Sequence, residues 1–285
     1  MSNLFFCGGL PKSGTTLLQR ILDLHPEVSC NSEDNLEFLA QSFLDIHNKY
    51  NFILSSLATR TGAEKYKKID KGVFLKNLYY LIKDIAINRN EKVKFIGLSD
   101  NNFLLKNLVN LSNVFPNSKT IIIFRNPIDI ALSAWDHNHR LYKKEKIKDH
   151  LHIMKVDGVL NLNKYIIYRS KLWNKQVKSL LSQTEKISHK FLLITYEDLC
   201  MNKKKVIKKI FQHLGCSYEE EIISKVIDES SLERMRKTSS DPIFFNKGRI
   251  NFGDKELDPL TIKSAIDFSK EGLDLVKIQV PTGKN

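Results

Sequence analysis

Three glycines, one lysine and three hydroxyls crowd into Gly8-Gly9-Leu10-Pro11-Lys12-Ser13-Gly14-Thr15-Thr16. Such a run between a strand and a helix can hold an anion on backbone N–H groups at the positive end of the helix. Gly9, Gly14 and Thr16 satisfy three fixed positions of the phosphate-loop pattern GxxxxGK[ST]. Thr15 stands where that pattern needs its lysine, and the cation has moved back to Lys12. A lysine and Mg²⁺ together neutralise a triphosphate. Lys12 with the hydroxyls of Ser13, Thr15 and Thr16 suits a less charged group and implies no metal. The plain alternative is a turn that only caps a helix.

A second grouping is Arg125-Asn126-Pro127-Ile128-Asp129-Ile130-Ala131-Leu132-Ser133. Arg125 offers a bidentate fork for phosphate, and Ser133 a further donor. An arginine where a kinase places its metal-binding aspartate argues against a metal–triphosphate site. Arg125 could instead pair with Asp129 at a helix start.

Both groupings need a sheet to position them. Leu4–Gly8 reads as a buried strand and Thr15–Leu24 as the helix after the loop. Helices are expected at Asn35–Tyr50, Phe74–Asn88, Phe103–Val114, Gly158–Leu181 and Lys203–Leu214, the last stopped by Gly215. Val93–Leu98, Thr120–Phe124 (TIIIF) and Phe191–Thr195 (FLLIT) read as further buried strands, and Pro127 opens a helix at its first turn. Strands separated by helices imply an α/β fold with a central parallel sheet flanked by helices. One domain over 1–285 is expected, with residues 35–90 a helical insertion on the acceptor side. The polar, Gly-containing stretch Ser231–Lys255 is expected to run over the surface.

Composition sets the outer bounds. The chain has 285 residues, 42% hydrophobic and 27% charged, which excludes disorder. Cys7, Cys30, Cys200 and Cys216 are far apart with no CxxC pair, so they read as reduced thiols, mostly buried, of a reducing compartment. The N-terminal residues lack a basic region and a long apolar core, and no apolar run reaches the ~18–20 residues of a membrane span. A cytoplasmic location is therefore expected. The net charge of +13 either steers anionic ligands or covers a solvated surface; the lysines are dispersed, and no nucleic-acid partner is implied.

With both groupings in place, the chain resembles the PAPS-dependent sulfotransferases. Pro11–Thr16 is similar to that family's 5′-phosphosulfate loop, PKSGTT or PRSGTT, and Arg125–Ser133 to its 3′-phosphate motif, R-[ND]-P-x-D-x-x-x-S. The resemblance implies a P-loop NTPase-like three-layer sandwich, PAPS as donor, PAP as product and no metal. Lys12, Ser13, Gly14, Thr15 and Thr16 would then hold the 5′ end, and Arg125 and Ser133 the 3′-phosphate. Tyr196-Glu197-Asp198-Leu199 looks like the family's YEDL element, whose Tyr lies near the nucleotide; a core anchor is the alternative for Tyr196. Phe245–Arg249 looks like the cytosolic branch's FxRKG loop, which assigns Lys247, Gly248 and Arg249 to the nucleotide and makes 231–255 a nucleotide-closing segment. Asn246 replaces the Arg there, and the following G-D-W is reduced to Gly253-Asp254-Lys255. Ser230 and Leu232 fall where the family touches adenine.

Sulfuryl transfer to a hydroxyl needs a base. The cytosolic branch's histidine is missing from Lys94–Asp100. Leu22–Glu33 instead looks like the LDAHPxVxCGEE stretch of the tyrosylprotein and Golgi carbohydrate branch, which puts the base at Glu33, with Asp34 and Glu37 its neighbours. That branch's lysine after the second main strand aligns with Asp100. His25 reads as a helix-end residue, and His137 and His139 as possible acceptor contacts. The expected acceptor is a carbohydrate or small-molecule hydroxyl. A small P-loop kinase and a catalytically silent PAP-binding protein are the alternatives.

Overall fold

The computed structural model describes residues 3–30, 36–63, 65–89, 93–145, 148–187, 191–238, 250 and 257–276. Five strands form one sheet in the order β2 (Val28–Cys30), β3 (Phe95–Ser99), β1 (Asn3–Gly9), β4 (Lys119–Phe124) and β7 (Phe191–Thr195). Every pairing in it is parallel. The carboxyl ends of all five strands therefore lie along one edge, where α/β folds bind ligands.

Alternating side chains send two cores to opposite faces. Phe5, Cys7, Ile121, Ile123, Leu192 and Ile194 pack with α1 (Thr15–Asp23), α9 (Lys203–Leu214) and α10 (Glu220–Glu229). The other face packs in two sections. Phe6, Ile96 and Leu98 meet α3 (Lys71–Arg89) and α4 (Asn101–Val114), while Ile122 and Phe124 meet α7 (Leu162–Thr184). This is a three-layer sandwich. Ile121, Ile122 and Ile123 are almost wholly buried, and each burial contributes about 1.5–3 kcal/mol. A β-branched run covered on both faces has no stable place except the middle of a sheet.

Several elements differ from the sequence-based expectation. α2 spans Leu36–Thr61, eleven residues beyond Tyr50, because no Gly or Pro interrupts it before Gly62. α3 begins at Lys71, where Asp70 accepts the N–H groups of Gly72 (2.8 Å) and Val73 (3.0 Å). The long helix expected from Gly158 starts at Leu162, capped by the Asn161 side chain. Before it, Asp157 and Gly158 adopt positive φ and turn the hairpin of β5 (Lys155–Val156) and β6 (Val159–Leu160). Short β2, α10 and α6 (Lys148–Ile153) were not expected, nor was α12 (Pro259–Val276), which lies against α7. α5 spans Pro127–Glu145, α8 Tyr196–Met201 and α11 Leu232–Thr238. The expected surface stretch after Ser231 thus begins as a helix, with Met235 buried against the body of the protein. Cys7, Cys30 and Cys216 are buried and Cys200 is exposed, all as free thiols.

Candidate active site

The phosphate loop leaves β1 at Gly9 and enters α1 at Thr15. Lys12 and Gly14 both take positive φ (72° and 101°), and the Ser13 N–H closes the turn on the Leu10 carbonyl at 3.0 Å. Gly14 is the N-cap of α1, and no side chain caps that helix. The hydrogen bond that the helix-capping alternative needs is thus not made at this N-cap. Ser13 is fully buried, and its hydroxyl has no hydrogen-bond partner among the described residues. Thr15 is buried, while Lys12 and Thr16 are half-buried. An unsatisfied buried hydroxyl in a backbone cradle fits an anionic group held at this turn.

Arg125 follows β4, the strand beside β1, so the register of the two strands sets it against the loop. Its Nη1 donates to the Lys12 carbonyl at 3.2 Å, and its Nη2 lies 3.8 Å from Asp129 Oδ2. Its guanidinium also covers the Tyr196 ring, 4.3 Å from the centroid. The expected Asp129 pairing is thus present, alongside contacts to the loop and to Tyr196. Asn126 caps α5 by accepting the Ile128 N–H at 2.9 Å, with Pro127 in the first helical position. Ser133 is half-buried in the second turn of that helix.

Tyr196 opens α8 immediately after β7 and is buried. A Cβ on Gly14 would sit 2.4 Å from its Cδ2, so ring and loop are in close contact. Burial holds the Tyr196 phenol well above its ordinary pKa. The ring is buried, as the core-anchor reading expects, and it touches the loop and Arg125 together. Glu197, which the sequence did not single out, accepts the Asn126 N–H at 2.9 Å. Burial raises its pKa, while bonds from the Asn126 N–H and its own N–H, and the charge of Arg125, oppose that rise. No sequence signal links residues 126 and 197, because only the pairing of β4 with β7 brings them together.

The other expected residues are less gathered. Ser230 is buried at the end of α10, and its hydroxyl donates to the Val226 carbonyl at 2.5 Å. Leu232 is half-buried at the start of α11. Lys203 steadies this corner by donating to the Ile227 (3.1 Å) and Ser230 (3.0 Å) carbonyls. Asp100 is buried just beyond β3, its carbonyl close to Gly8. Glu33, Asp34, Lys247, Gly248 and Arg249 lie outside the described residues, as does the Glu37 side chain.

Among the described residues, one grouping has metal-type donors: His25, Glu27 and Cys216, with ligand atoms within 4.8 Å of one another. Those donors are already engaged. His25 Nδ1 accepts the Glu27 N–H (3.1 Å), which leaves Nε2 to donate to the Ser217 carbonyl (2.8 Å). Glu27 accepts the Ser217 N–H (2.8 Å) and pairs with Lys94 (3.3 Å). Burial pushes the Cys216 thiol up to about 12, so it keeps its proton. The group is a latch at the amino end of the sheet, remote from the loop edge.

Comparison with known proteins follows the same lines. The Sulfotransferase domain family matches residues 4–243. Protein-tyrosine sulfotransferase 2 of Gallus gallus is 28% identical over 225 residues, 77% of this chain and 53% of that protein. The 3-beta-hydroxysteroid sulfotransferase of Cavia porcellus is 30% identical over 131 residues, 44% of this chain and 43% of its own. The chain spans about half the length of the curated relatives it matches. Among solved structures, a mouse sulfotransferase complexed with PAP superimposes with a TM-score of 0.60 at 16% identity, covering 97% of this chain and 87% of that one. Retinol dehydratase in complex with androsterone and PAP gives 0.55 at 19% identity, covering 98% and 82%. At such identities the likeness is one of fold.

Proposed function

Because this chain belongs to the sulfotransferase domain family, we propose that it transfers a sulfuryl group from PAPS to an acceptor hydroxyl. One observation supports the reading: the glycine-rich loop and Arg125 leave the adjacent strands β1 and β4 and meet through the Arg125–Lys12 contact. A donor with separate 5′ and 3′ anions suits that spacing. Lys12, the loop N–H groups and the hydroxyls of Ser13, Thr15 and Thr16 would hold the 5′-phosphosulfate. Arg125 and Ser133 would hold the 3′-phosphate, with Lys247, Gly248 and Arg249 closing over it. Glu33 would take the acceptor's proton as its oxygen bonds to sulfur. The bond from sulfur to the phosphate oxygen then breaks, and Lys12 offsets the charge left on that oxygen. Orientation and fixed positive charge supply the rate enhancement, with no metal in the scheme.

The acceptor has two supported readings. A tyrosine hydroxyl in a protein is favoured by relatives named protein-tyrosine sulfotransferases that align over three quarters of the chain. A carbohydrate or small-molecule hydroxyl, the expectation from sequence, gains from the shorter match to a hydroxysteroid enzyme. Turnover with labelled PAPS against tyrosyl peptides, sugars and sterols decides between them.

The donor reading has its own test, calorimetric titration of PAP and of ATP without metal. PAP is expected to bind more tightly, and Arg125→Lys to weaken it by about 2–3 kcal/mol as the bidentate fork is lost. Tighter binding of ATP only with Mg²⁺ would instead identify a kinase. PAP binding without turnover on any acceptor would identify a silent binding protein.

A further inference from the structure

The Arg125–Asn126 turn poses a problem in satisfying polar groups. Asn126 is 3% exposed, so its N–H is shut off from water. No regular partner exists for that N–H, because β4 ends at Phe124 and α5 starts at Pro127. The Asn126 side chain is occupied as the cap of α5. The donor is satisfied by Glu197, from the exit of the neighbouring strand β7, at 2.9 Å. A buried amide left without that acceptor would have to swing toward water, carrying Arg125 with it. The same carboxylate belongs to the electrostatic surroundings of Arg125 and Asp129. Glu197 is itself buried, and Tyr196, its neighbour in chain, lies under the Arg125 guanidinium. Two consecutive residues of α8 thus brace one turn, the ring from below the guanidinium and the carboxylate through the main chain.

We propose that Glu197 is a positioning residue for the 3′-phosphate pocket: it fixes the Arg125–Asn126 turn so that Arg125 meets the 3′-phosphate of the donor. The proposal rests on Arg125 being the partner of that phosphate. Glu197 makes no contact with the nucleotide in this scheme. Its effect is selective, since the 5′ end is held by a different loop. What the turn requires is an acceptor oxygen at that place more than a negative charge, so glutamine is a sufficient substitute and alanine is not.

The experiment compares binding of PAP with that of 5′-AMP, which lacks the 3′-phosphate, in Glu197→Ala, Glu197→Gln, Glu197→Asp and Arg125→Lys. Glu197→Ala is expected to weaken PAP by about ten- to thirtyfold and 5′-AMP by less than about twofold, as an orphaned buried donor reorients the turn. Glu197→Gln should keep PAP within about threefold of wild type, because its amide oxygen can still accept the N–H. Glu197→Asp, one methylene short, should lose PAP selectively to an intermediate degree, and it decides the matter if the alanine variant does not fold. Equal weakening of both nucleotides, or of neither, in Glu197→Ala overturns the positioning role, as does a glutamine variant as weak as alanine. Arg125→Lys separates the two levels. If it leaves the preference for PAP over 5′-AMP unchanged, the Arg125 reading itself is wrong. If it removes that preference while Glu197→Ala retains it, only the role of Glu197 fails.

Discussion

Gly14 bears two constraints at once: a φ of 101° and a Cβ position 2.4 Å from the Tyr196 ring. Gly14→Ala must strain the backbone and displace the ring. A loss of about 1–3 kcal/mol in stability is expected, with at least about tenfold weaker PAP binding. Denaturant unfolding and calorimetry check both, and wild-type values in each would show that the loop tolerates a side chain. Glu33→Gln tests the base. PAP affinity should stay within about twofold while turnover falls by at least about a hundredfold. Turnover that survives would move the base to another carboxylate, with Asp100 the first to examine. At this scale the sequence was informative wherever chemistry is written into a contiguous motif. Lys12, Arg125 and Tyr196 are legible that way, and in the structure Arg125 touches both the Lys12 carbonyl and the Tyr196 ring. Glu197 was not legible as a brace, because its partner is 71 residues away and the bond goes to a backbone N–H. Ser230 shows how little one dimension says of orientation, for its hydroxyl donates back into α10, to the Val226 carbonyl.

Helix and strand boundaries followed local chemistry more closely than periodicity. The Lys203–Leu214 helix runs as expected to Gly215, which takes a left-handed φ of 87°. α7 starts four residues after Gly158 because the Asp157-Gly158 hairpin turn sits directly before its amphipathic run, and periodicity alone does not separate the two. α12 announces itself by Asp258 accepting the Thr261 N–H at 2.9 Å and by Pro259 in the first turn, yet its apolar residues match no motif. What those residues do is visible only against α7. A Cβ on Gly272 would lie 2.7 Å from Trp173, so the two helices approach backbone to ring. Gly272→Val should therefore cost about 1–3 kcal/mol through overpacking, while PAP affinity remains unchanged. Unfolding midpoints and titration measure the two separately, and a neutral midpoint would mean the helices can part without penalty.

Across the whole molecule, the ends of the sheet carry different duties. The carboxyl ends hold the candidate site, and the amino end is tied by His25, Glu27, Lys94 and Ser217. Burial keeps the His25 pKa below its ordinary value of 6.5, so the unfolded chain takes up that proton first as the pH falls. Stability is therefore expected to decline below about pH 6.5 until the folded imidazole also protonates. The Ser217 N–H holds Glu27 below its ordinary 4.5, and that contribution is present above this value and lost as pH falls through the folded pKa. Glu27 is partly exposed, so solvent screening limits its contribution to about 1 kcal/mol. Urea unfolding at stepped pH should show His25→Gln with a shallower slope as the pH falls below about 6.5, and Glu27→Gln with one below about pH 4.5. Slopes equal to wild type would show that the latch does not sense protons.

The strand order β2-β3-β1-β4-β7 separates two regions in space. The phosphate loop and Arg125 follow the adjacent strands β1 and β4, while the chain that leaves β2 returns through two long helices before it rejoins the sheet at β3. That excursion is not detachable, because Leu78, Tyr79 and Ile82 of its second helix roof Phe6, Ile96 and Leu98 on β1 and β3, so any exchange of residues 36–89 would have to rebuild half of one core.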